Sequence, residues 1–229
     1  MHLTEQEPNH TRYDRYPAIF AAAKAASGPE PLRILSFGCS TGEEPRTLAE
    51  KYFPSSRILG VDVAPEVLAA ARARTQDLAN VSIAASDAAS VAASGLYDLV
   101  FAMSVLCRNP APKDWSEYPF ARFEARVAEL TALLKPGGVL ALANTNYRLT
   151  QSRLIRFYDL IVEPEARDPG QVWRLAPDGS VLEMPNSGPV ATDCLFRKRM
   201  SPRPDSPDIP LAIARPDGAA LVTLWLRFP

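Results

Sequence analysis

Along the first two thirds of the chain, short apolar-rich runs alternate with stretches whose apolar residues recur every three or four positions. The runs "RILSF" (33–37), "SRILGVD" (56–62), "NVSIAAS" (80–86), "YDLVFAMS" (97–104) and "VLALAN" (139–144) are too short for helices and predict buried strands. Between them, "EEPRTLAEKYF" (43–53) predicts a helix that tolerates Pro45 in its first turn. "APEVLAAARART" (64–75) places Leu and Ala at helical spacing. "FARFEARVAELTALL" (120–134) is the clearest amphipathic helix, closed by the stop signal "KPGG". Strands that alternate with helices imply a mostly parallel sheet covered on both faces, a Rossmann-like α/β fold.

The pattern changes after about residue 160, where half of the 22 prolines lie. "APDGS" (176–180) and "RPDGA" (215–219) are turn signals between short apolar runs. They predict antiparallel C-terminal hairpin strands that close or decorate one edge of the sheet, with "SPRPDSPDIP" (201–210) as a loop. The whole reads as one domain: an N-terminal lid and helix (1–28), a ligand-binding core (30–145) and a substrate-side hairpin region (146–229).

Composition narrows the function classes. At 229 residues, 47% hydrophobic and 22% charged, the chain can bury the core of one α/β domain. A net charge of -1 offers no global attraction for nucleic acid or an anionic membrane. The basic run "FRKR" (196–199) is read as a solvated strand end, with a phosphate-binding patch as its alternative. No apolar run reaches the roughly 18 residues of a membrane helix, and the first ten residues lack the basic and apolar regions of a secretory leader. Cys39, Cys107 and Cys194 are odd in number and form no Cys-x-x-Cys pair, so no metal is expected and a reducing, cytoplasmic setting is the simplest expectation.

The chemistry concentrates in "SFGCSTGEEP" (36–45), where the first strand turns into its helix. Gly38 and Gly42 let a ligand approach the backbone at the carboxyl end of the sheet. The spacing is not Gly-x-Gly-x-x-Gly, and Glu43 and Glu44 would repel a pyrophosphate. They suit a ligand with positive charge, such as an amino group or a sulfonium. Asp62 ends the second strand, twenty residues after Gly42. It can accept from ribose hydroxyls or cap the following helix. Asp87, after the third strand, can accept from an adenine amino group or serve as a loop residue.

Taken in order, the Gly loop, "GVDVAPEVLAAAR", "YDLVFAMSVL" and "LLKPGGVLALAN" resemble class I S-adenosylmethionine-dependent methyltransferases over about residues 30–145. The "CSTGEEP" loop is similar to that of chemotaxis receptor glutamate methyltransferases, and Asn9-His-Thr11-Arg-Tyr-Asp-Arg15 fits the Asn-x-Thr-x-x-x-Arg segment of the same family. The resemblance implies a seven-stranded sheet and S-adenosyl-L-methionine as cofactor. It implies Gly38, Cys39 and Glu43 on the methionine part and Asp62 on the ribose. Ser104 and Val105 would contact the cofactor, and Asn9, Thr11 and Arg15 would close over it. Phe37, Gly42, Val63, Asp87, Ala88 and Met103 complete the expected cofactor set.

The expected reaction is methyl transfer to an oxygen, hydroxyl or carboxylate, of a small-molecule or protein acceptor. A hydroxyl wants a base. The histidines are His2 and His10, so a histidine base would be His10, carried in by the lid; a solvated tail is its alternative. Otherwise the base is a carboxylate, or the acceptor is already anionic. Arg15, Arg108 and Tyr147 are the other catalytic candidates. "ANTNYRL" (143–149) follows the fifth strand and offers Asn144, Asn146, Tyr147 and Arg148 to an acceptor, or simply forms a turn. Trp115 and Tyr118 either join them or anchor their loop. A catalytically silent cofactor-binding or partner-binding protein is the main alternative, and a nicotinamide oxidoreductase the weaker one.

Overall fold

A computed structural model describes residues 11–87, 91, 95–108, 115–161, 172–185, 194–203, 208–213 and 222–227. Helix α1 (Pro17–Ala26) precedes strand β1 (Arg33–Phe37). Then come α2 (Glu43–Thr47), which widens into a π-helical turn over Leu48–Tyr52, β2 (Arg57–Asp62), α3 (Pro65–Thr75) and β3 (Val81–Ala85). Next are β4 (Tyr97–Met103), α4 (Phe120–Leu133), β5 (Leu134–Ala143) and β6 (Tyr158–Ile161). The remaining strands are β7 (Arg174–Leu175), β8 (Val181–Glu183), β9 (Leu195–Lys198), β10 (Asp208–Ile213) and β11 (Val222–Arg227).

Seven strands form one sheet in the order β3-β2-β1-β4-β5-β9-β6. The first five run parallel, and β9 is antiparallel to both β5 and β6. The strand order reverses beside β1, between the β1–β2–β3 half and the β4–β5 half. Ligands of open α/β sheets bind outside the carboxyl ends of the strands at such a crevice.

Alternation along the strands fills both faces. Ile34, Leu99, Phe101, Val139 and Ala141 point to the side covered by α1 and the α2 extension, where Phe20 meets Phe101 edge-on at 5.5 Å. Leu35, Val100, Ala102, Leu140 and Leu142 point to the other side, against Phe123, Val127 and Leu130 of α4. Each helix starts or stops by local chemistry: Pro17 and Pro65 occupy first-turn positions of α1 and α3.

The turn signals of the last third correspond to hairpins. "APDGS" closes β7–β8 with the Ala176 N–H donating to Ser180 O at 2.8 Å, and β10 pairs antiparallel with β11. Both are separate two-stranded ribbons and not continuations of the main sheet, whose edge comes instead from β9 and β6. "RPDGA" lies outside the described residues. The basic run is a strand whose cations are used internally. Lys198 Nζ donates to the Thr131 and Leu134 carbonyls at the end of α4, at 2.7 and 2.6 Å. Arg197 donates to Ala26 O at the end of α1, at 2.7 Å. Cations that satisfy orphan carbonyls at helix C-termini explain the run without a phosphate. No described helix is long and apolar enough to cross a membrane.

Candidate active site

The loop after β1 is built onto β2. The Gly38 and Cys39 N–H groups both donate to Val61 O at 2.9 Å, and the Ser40 N–H donates to Asp62 Oδ2 at 2.8 Å. The other Asp62 oxygen accepts from Val63 N at 2.8 Å and Ala64 N at 3.3 Å. Asp62 therefore holds the turn that leads into α3 and fastens the Gly loop. An ionised carboxylate has about four acceptor positions, so three backbone donors leave it capacity for a ligand hydroxyl. Ser40 Oγ, in the same loop, is buried with no hydrogen-bond partner among the described residues. An orphan hydroxyl beside a buried carboxylate marks a place where a polar ligand completes the bonding.

The two loop glycines have packing reasons of their own. A Cβ on Gly38 (φ 76°) would lie 2.5 Å from Val105 Cγ2, and one on Gly42 (φ 91°) would lie 2.9 Å from Ala71 Cα. Gly42 thus lets α2 seat on the backbone of α3. That seating separates the two glutamates. Glu43 turns toward α3, accepting from Thr41 Oγ1 at 2.7 Å and pairing with Arg74 at 3.0 Å. Glu44 turns to the strand ends, where the Ser36 hydroxyl donates to it at 2.7 Å. Burial pushes the Glu44 carboxyl up to about 7, against the Ser36 hydrogen bond and the charge of Arg15. The same burial, with the charges of Asp62 and Glu44, pushes the Cys39 thiol up, so it stays protonated and is no nucleophile.

Across the crevice, β4 and β5 end in left-handed residues, Ser104 (φ 56°) and Asn144 (φ 50°), and Ser40 (φ 48°) does the same after β1. Three non-glycine residues in this region, each at a strand tip, are a signature of a site held against local preference. Tyr16, at the start of α1, completes the group. Its hydroxyl shares a hydrogen bond with Ser104 Oγ, and Asn144 Nδ2 donates to Tyr16 Oη at 2.9 Å and to Ser104 Oγ at 3.0 Å. Burial raises the Tyr16 phenol, so it remains protonated. The Arg15 guanidinium lies over the Tyr16 ring, 5.1 Å from its centre.

The expected site residues divide. Gly38, Cys39, Gly42, Asp62, Ser104 and Val105 sit at or just after the carboxyl ends of β1, β2 and β4, with Val63 exposed beside Asp62. Asp87 follows β3, its carbonyl accepting from Val91 N at 3.1 Å. Met103 points into the core under α1, and the Phe37 ring sits beneath Arg126 at 5.6 Å. Asn9, His10 and Ala88 lie outside the described residues. Thr11 and Arg15 belong to a segment anchored by Asp14, which accepts from Tyr52 Oη at 2.8 Å, pairs with Lys51 and donates its N–H to Thr47 Oγ1 at 2.9 Å.

On the acceptor side the expectations need correcting. Tyr147 is a core residue: its ring lies among Tyr118, Phe120 and Phe123, and its hydroxyl donates to Tyr118 O at 2.8 Å. Trp115 and Tyr118 anchor their loop, the former 6.4 Å from Trp173. Asn146 is fully buried and staples three segments. It accepts from the Arg108 N–H at 2.6 Å, donates to Trp173 O at 2.8 Å and takes the Leu175 N–H on its own carbonyl at 2.8 Å. Arg148 pairs with Glu183 on β8. Glu44 and Tyr16 join the residues expected at the cofactor and catalytic positions. Glu44 had a signal, the doubled glutamate; Tyr16 had none.

Residues 34–138 match the family model described as "Methyltransferase domain". Over 135 residues the chain is 35% identical to the trans-aconitate 2-methyltransferase of Acidovorax sp. (strain JS42), covering 59% of this chain and 45% of that one. Over 131 residues it is 33% identical to the protein of that name from Streptomyces avermitilis, covering 56% and 44%. The chain thus spans about half the length of the curated relatives it matches. Among solved structures it is similar to the N-methyltransferase NodS from Bradyrhizobium japonicum WM9, with a TM-score of 0.50, 18% identity and coverage of 81% of this chain and 99% of that one. That likeness concerns the fold. The likeness to chemotaxis receptor methyltransferases rests on the loop and the Asn9–Arg15 segment of the sequence and is not shown by these matches. The sheet order and the Gly loop after β1 agree with the match of residues 34–138 to a methyltransferase domain.

Proposed function

We propose that this chain transfers a methyl group from S-adenosylmethionine to a carboxylate oxygen of a small organic acid. The observation that carries the cofactor half is that Asp62 and Glu44 both lie near the Gly loop, close enough for each to act on the Cys39 thiol. Asp62 keeps acceptor capacity for ribose hydroxyls, beside the orphan Ser40 hydroxyl. Glu44 is a partly buried carboxyl at the strand tips, suited to an ammonium group. Arg15, which acts electrostatically on Glu44, suits the carboxylate of the same amino acid moiety. The residues present fit the cofactor.

When bound, S-adenosylmethionine supplies a methyl group on a positively charged sulfur, reactive enough for direct transfer to an oxygen anion. The chain's own task is then to bind, orient and exclude water. A carboxylate acceptor is already ionised near neutrality and needs no base. This agrees with a described site in which the Tyr16 phenol and the Cys39 thiol are both held protonated. The relatives named for trans-aconitate, a tricarboxylic acid, support the same acceptor class.

The test is direct. Purified chain is incubated with S-adenosylmethionine and trans-aconitate, and products are read by mass spectrometry. A methyl ester with matching S-adenosylhomocysteine is the expected result. Methylation at nitrogen, or cofactor binding with no turnover across a panel of organic acids, would overturn the reading and favour a silent cofactor-binding protein.

A further inference from the structure

Three separate chain segments meet at the strand tips in a closed hydrogen-bonded triangle: Tyr16 before α1, Ser104 after β4 and Asn144 after β5. Its protons can be counted. The Asn144 amide brings two hydrogens and each hydroxyl brings one, so four hydrogens meet three bonds. The amide hydrogens go to Tyr16 Oη and Ser104 Oγ, and one hydroxyl hydrogen lies between those two oxygens. The amide's orientation follows from the same count. Turned over, it would draw both hydroxyl hydrogens to Oδ1 and leave none in the close Tyr16–Ser104 contact. One hydroxyl hydrogen, on Tyr16 or on Ser104, therefore has no place inside the triangle. Among the described residues neither side chain has a further partner for it.

Two charges act on the Tyr16 phenol: the Arg15 guanidinium favours an anion there, and the Glu44 carboxyl, when ionised, opposes one. The Arg15 guanidinium lies over the Tyr16 ring, so its charge adds to the outward O–H dipole. Ser104 and Asn144 hold left-handed backbones that a bulkier or less polar residue would resist, which fixes both oxygens in direction. Asn144 and Tyr16 are half-buried and Ser104 is buried, so the Tyr16 and Asn144 members of the triangle are the ones that reach the surface.

We propose that the Tyr16–Ser104–Asn144 triangle is the acceptor-recognition site, in which the single outward hydroxyl hydrogen binds a carboxylate oxygen of the methyl acceptor. The proposal rests on the methyl-transfer reading above and assigns its acceptor site. A bond to an ionised carboxylate is stronger than one to a neutral ester. The same hydrogen therefore holds the acid more tightly than its methyl ester, which favours product release.

The full chain, saturated with S-adenosylhomocysteine, is titrated calorimetrically with trans-aconitate, succinate and benzoate. Tyr16→Phe and Ser104→Ala each leave one hydroxyl free to donate, so each should raise the acid's Kd by less than about threefold. The double variant removes both hydroxyls and should raise it roughly tenfold or more, the range of a bond to a charged group. Affinity for S-adenosylhomocysteine should stay within about twofold in Tyr16→Phe, and should fall by less than affinity for the acid in the variants that alter Ser104, an expected cofactor contact. Asn144→Asp gives an isosteric second test: it sets a like charge against the acid and should weaken it by about tenfold or more. A double variant and an Asn144→Asp variant that bind the acid as the parent does overturn the assignment. So does a parallel loss of S-adenosylhomocysteine affinity, which marks a merely structural cluster. A parent protein that binds S-adenosylhomocysteine but none of the three acids overturns this inference and leaves the cofactor reading intact. One that does not bind S-adenosylhomocysteine overturns both.

Discussion

Glu44→Gln is the sharpest perturbation of the cofactor half of the site. Glutamine keeps the shape and the acceptor oxygen for the Ser36 hydroxyl, and removes the ionisation. The Glu44 carboxyl, which would titrate near 4.5 when unfolded, is raised to about 7 by burial. That difference corresponds to about 3 kcal/mol, an upper bound because Glu44 retains a small exposed face. The folded protein keeps a proton that the unfolded chain releases between those two values. Parent stability therefore declines as pH rises from about 4.5 to about 7 and is flat above. The variant lacks this decline, so without ligand it should be the more stable protein at about pH 8, by up to about 3 kcal/mol, and should converge with the parent in acid. Ligand binding should behave in the opposite sense. An ammonium group needs Glu44 ionised, so parent affinity for S-adenosylhomocysteine should fall roughly tenfold from about pH 8 to about pH 6, as the ionised fraction falls. The variant should bind weakly at both. Denaturant titrations and calorimetry across that range measure the two effects. Identical pH dependence of binding in parent and variant would refute the assignment. Lost turnover with unchanged S-adenosylhomocysteine affinity would make Glu44 a base.

Other substitutions separate site from scaffold. Asp62→Asn turns a donor toward the Ser40, Val63 or Ala64 N–H groups, and should cost tenfold or more in S-adenosylhomocysteine affinity, read by calorimetry. Gly42→Ala places a Cβ 2.9 Å from the Ala71 backbone at a φ of 91°, and should lower unfolding free energy by about 1–3 kcal/mol in denaturant titration. Tyr147→Phe should lose about 1 kcal/mol of stability with its bond to Tyr118 O and leave kcat nearly unchanged; a large kcat loss would return Tyr147 to the site. Lys198→Met should lower the melting temperature by removing two carbonyl contacts at the end of α4, with no change in ligand affinity.

The parallel half of the fold was legible because buried strands are written as unbroken apolar runs. "RILSF" coincides with β1, and "APEVLAAARART" differs from α3 by one residue. β5 begins at Leu134, five residues before the apolar run, because "KPGG" ends the helix and the chain turns directly onto β4, with an irregularity between Tyr97 and Leu99. Turn residues signal where a helix stops, not what the backbone pairs with next. The hairpins were legible from "APDGS", but their separation from the main sheet was not, since a turn fixes its two strands and nothing beyond them. The acceptor side was least legible. Tyr147 and Asn146 sit in a polar run that reads as a pocket rim, yet both are buried and bonded to distant backbone, a fact that depends on where Tyr118 and Trp173 arrive. Tyr16 carries no local signal because its role needs residues 16, 104 and 144 together.

The two glutamates show what a loop motif does and does not determine. "STGEEP" indicates a carboxylate at the strand tips, but adjacent residues on a helix point about 100° apart, so one of the pair must face away. Which one is a matter of helix phase. Here the phase follows from Gly42, whose missing Cβ lets the start of α2 rest on Ala71 of α3. With α2 seated there, Glu43 falls beside Arg74 of the same α3 and becomes part of the α2–α3 contact. Glu44 is carried round to Ser36, into a partly buried position where its own charge is disfavoured. A carboxyl placed against its preference, with one hydroxyl donor and a nearby arginine, is half of an ion pair awaiting a cation. Glu43, already paired with Arg74 at 3.0 Å, has no such need. The sequence shows two equivalent acids; the contact of one glycine with the next helix makes one of them part of the α2–α3 contact and leaves the other for the ammonium group in the proposed reading.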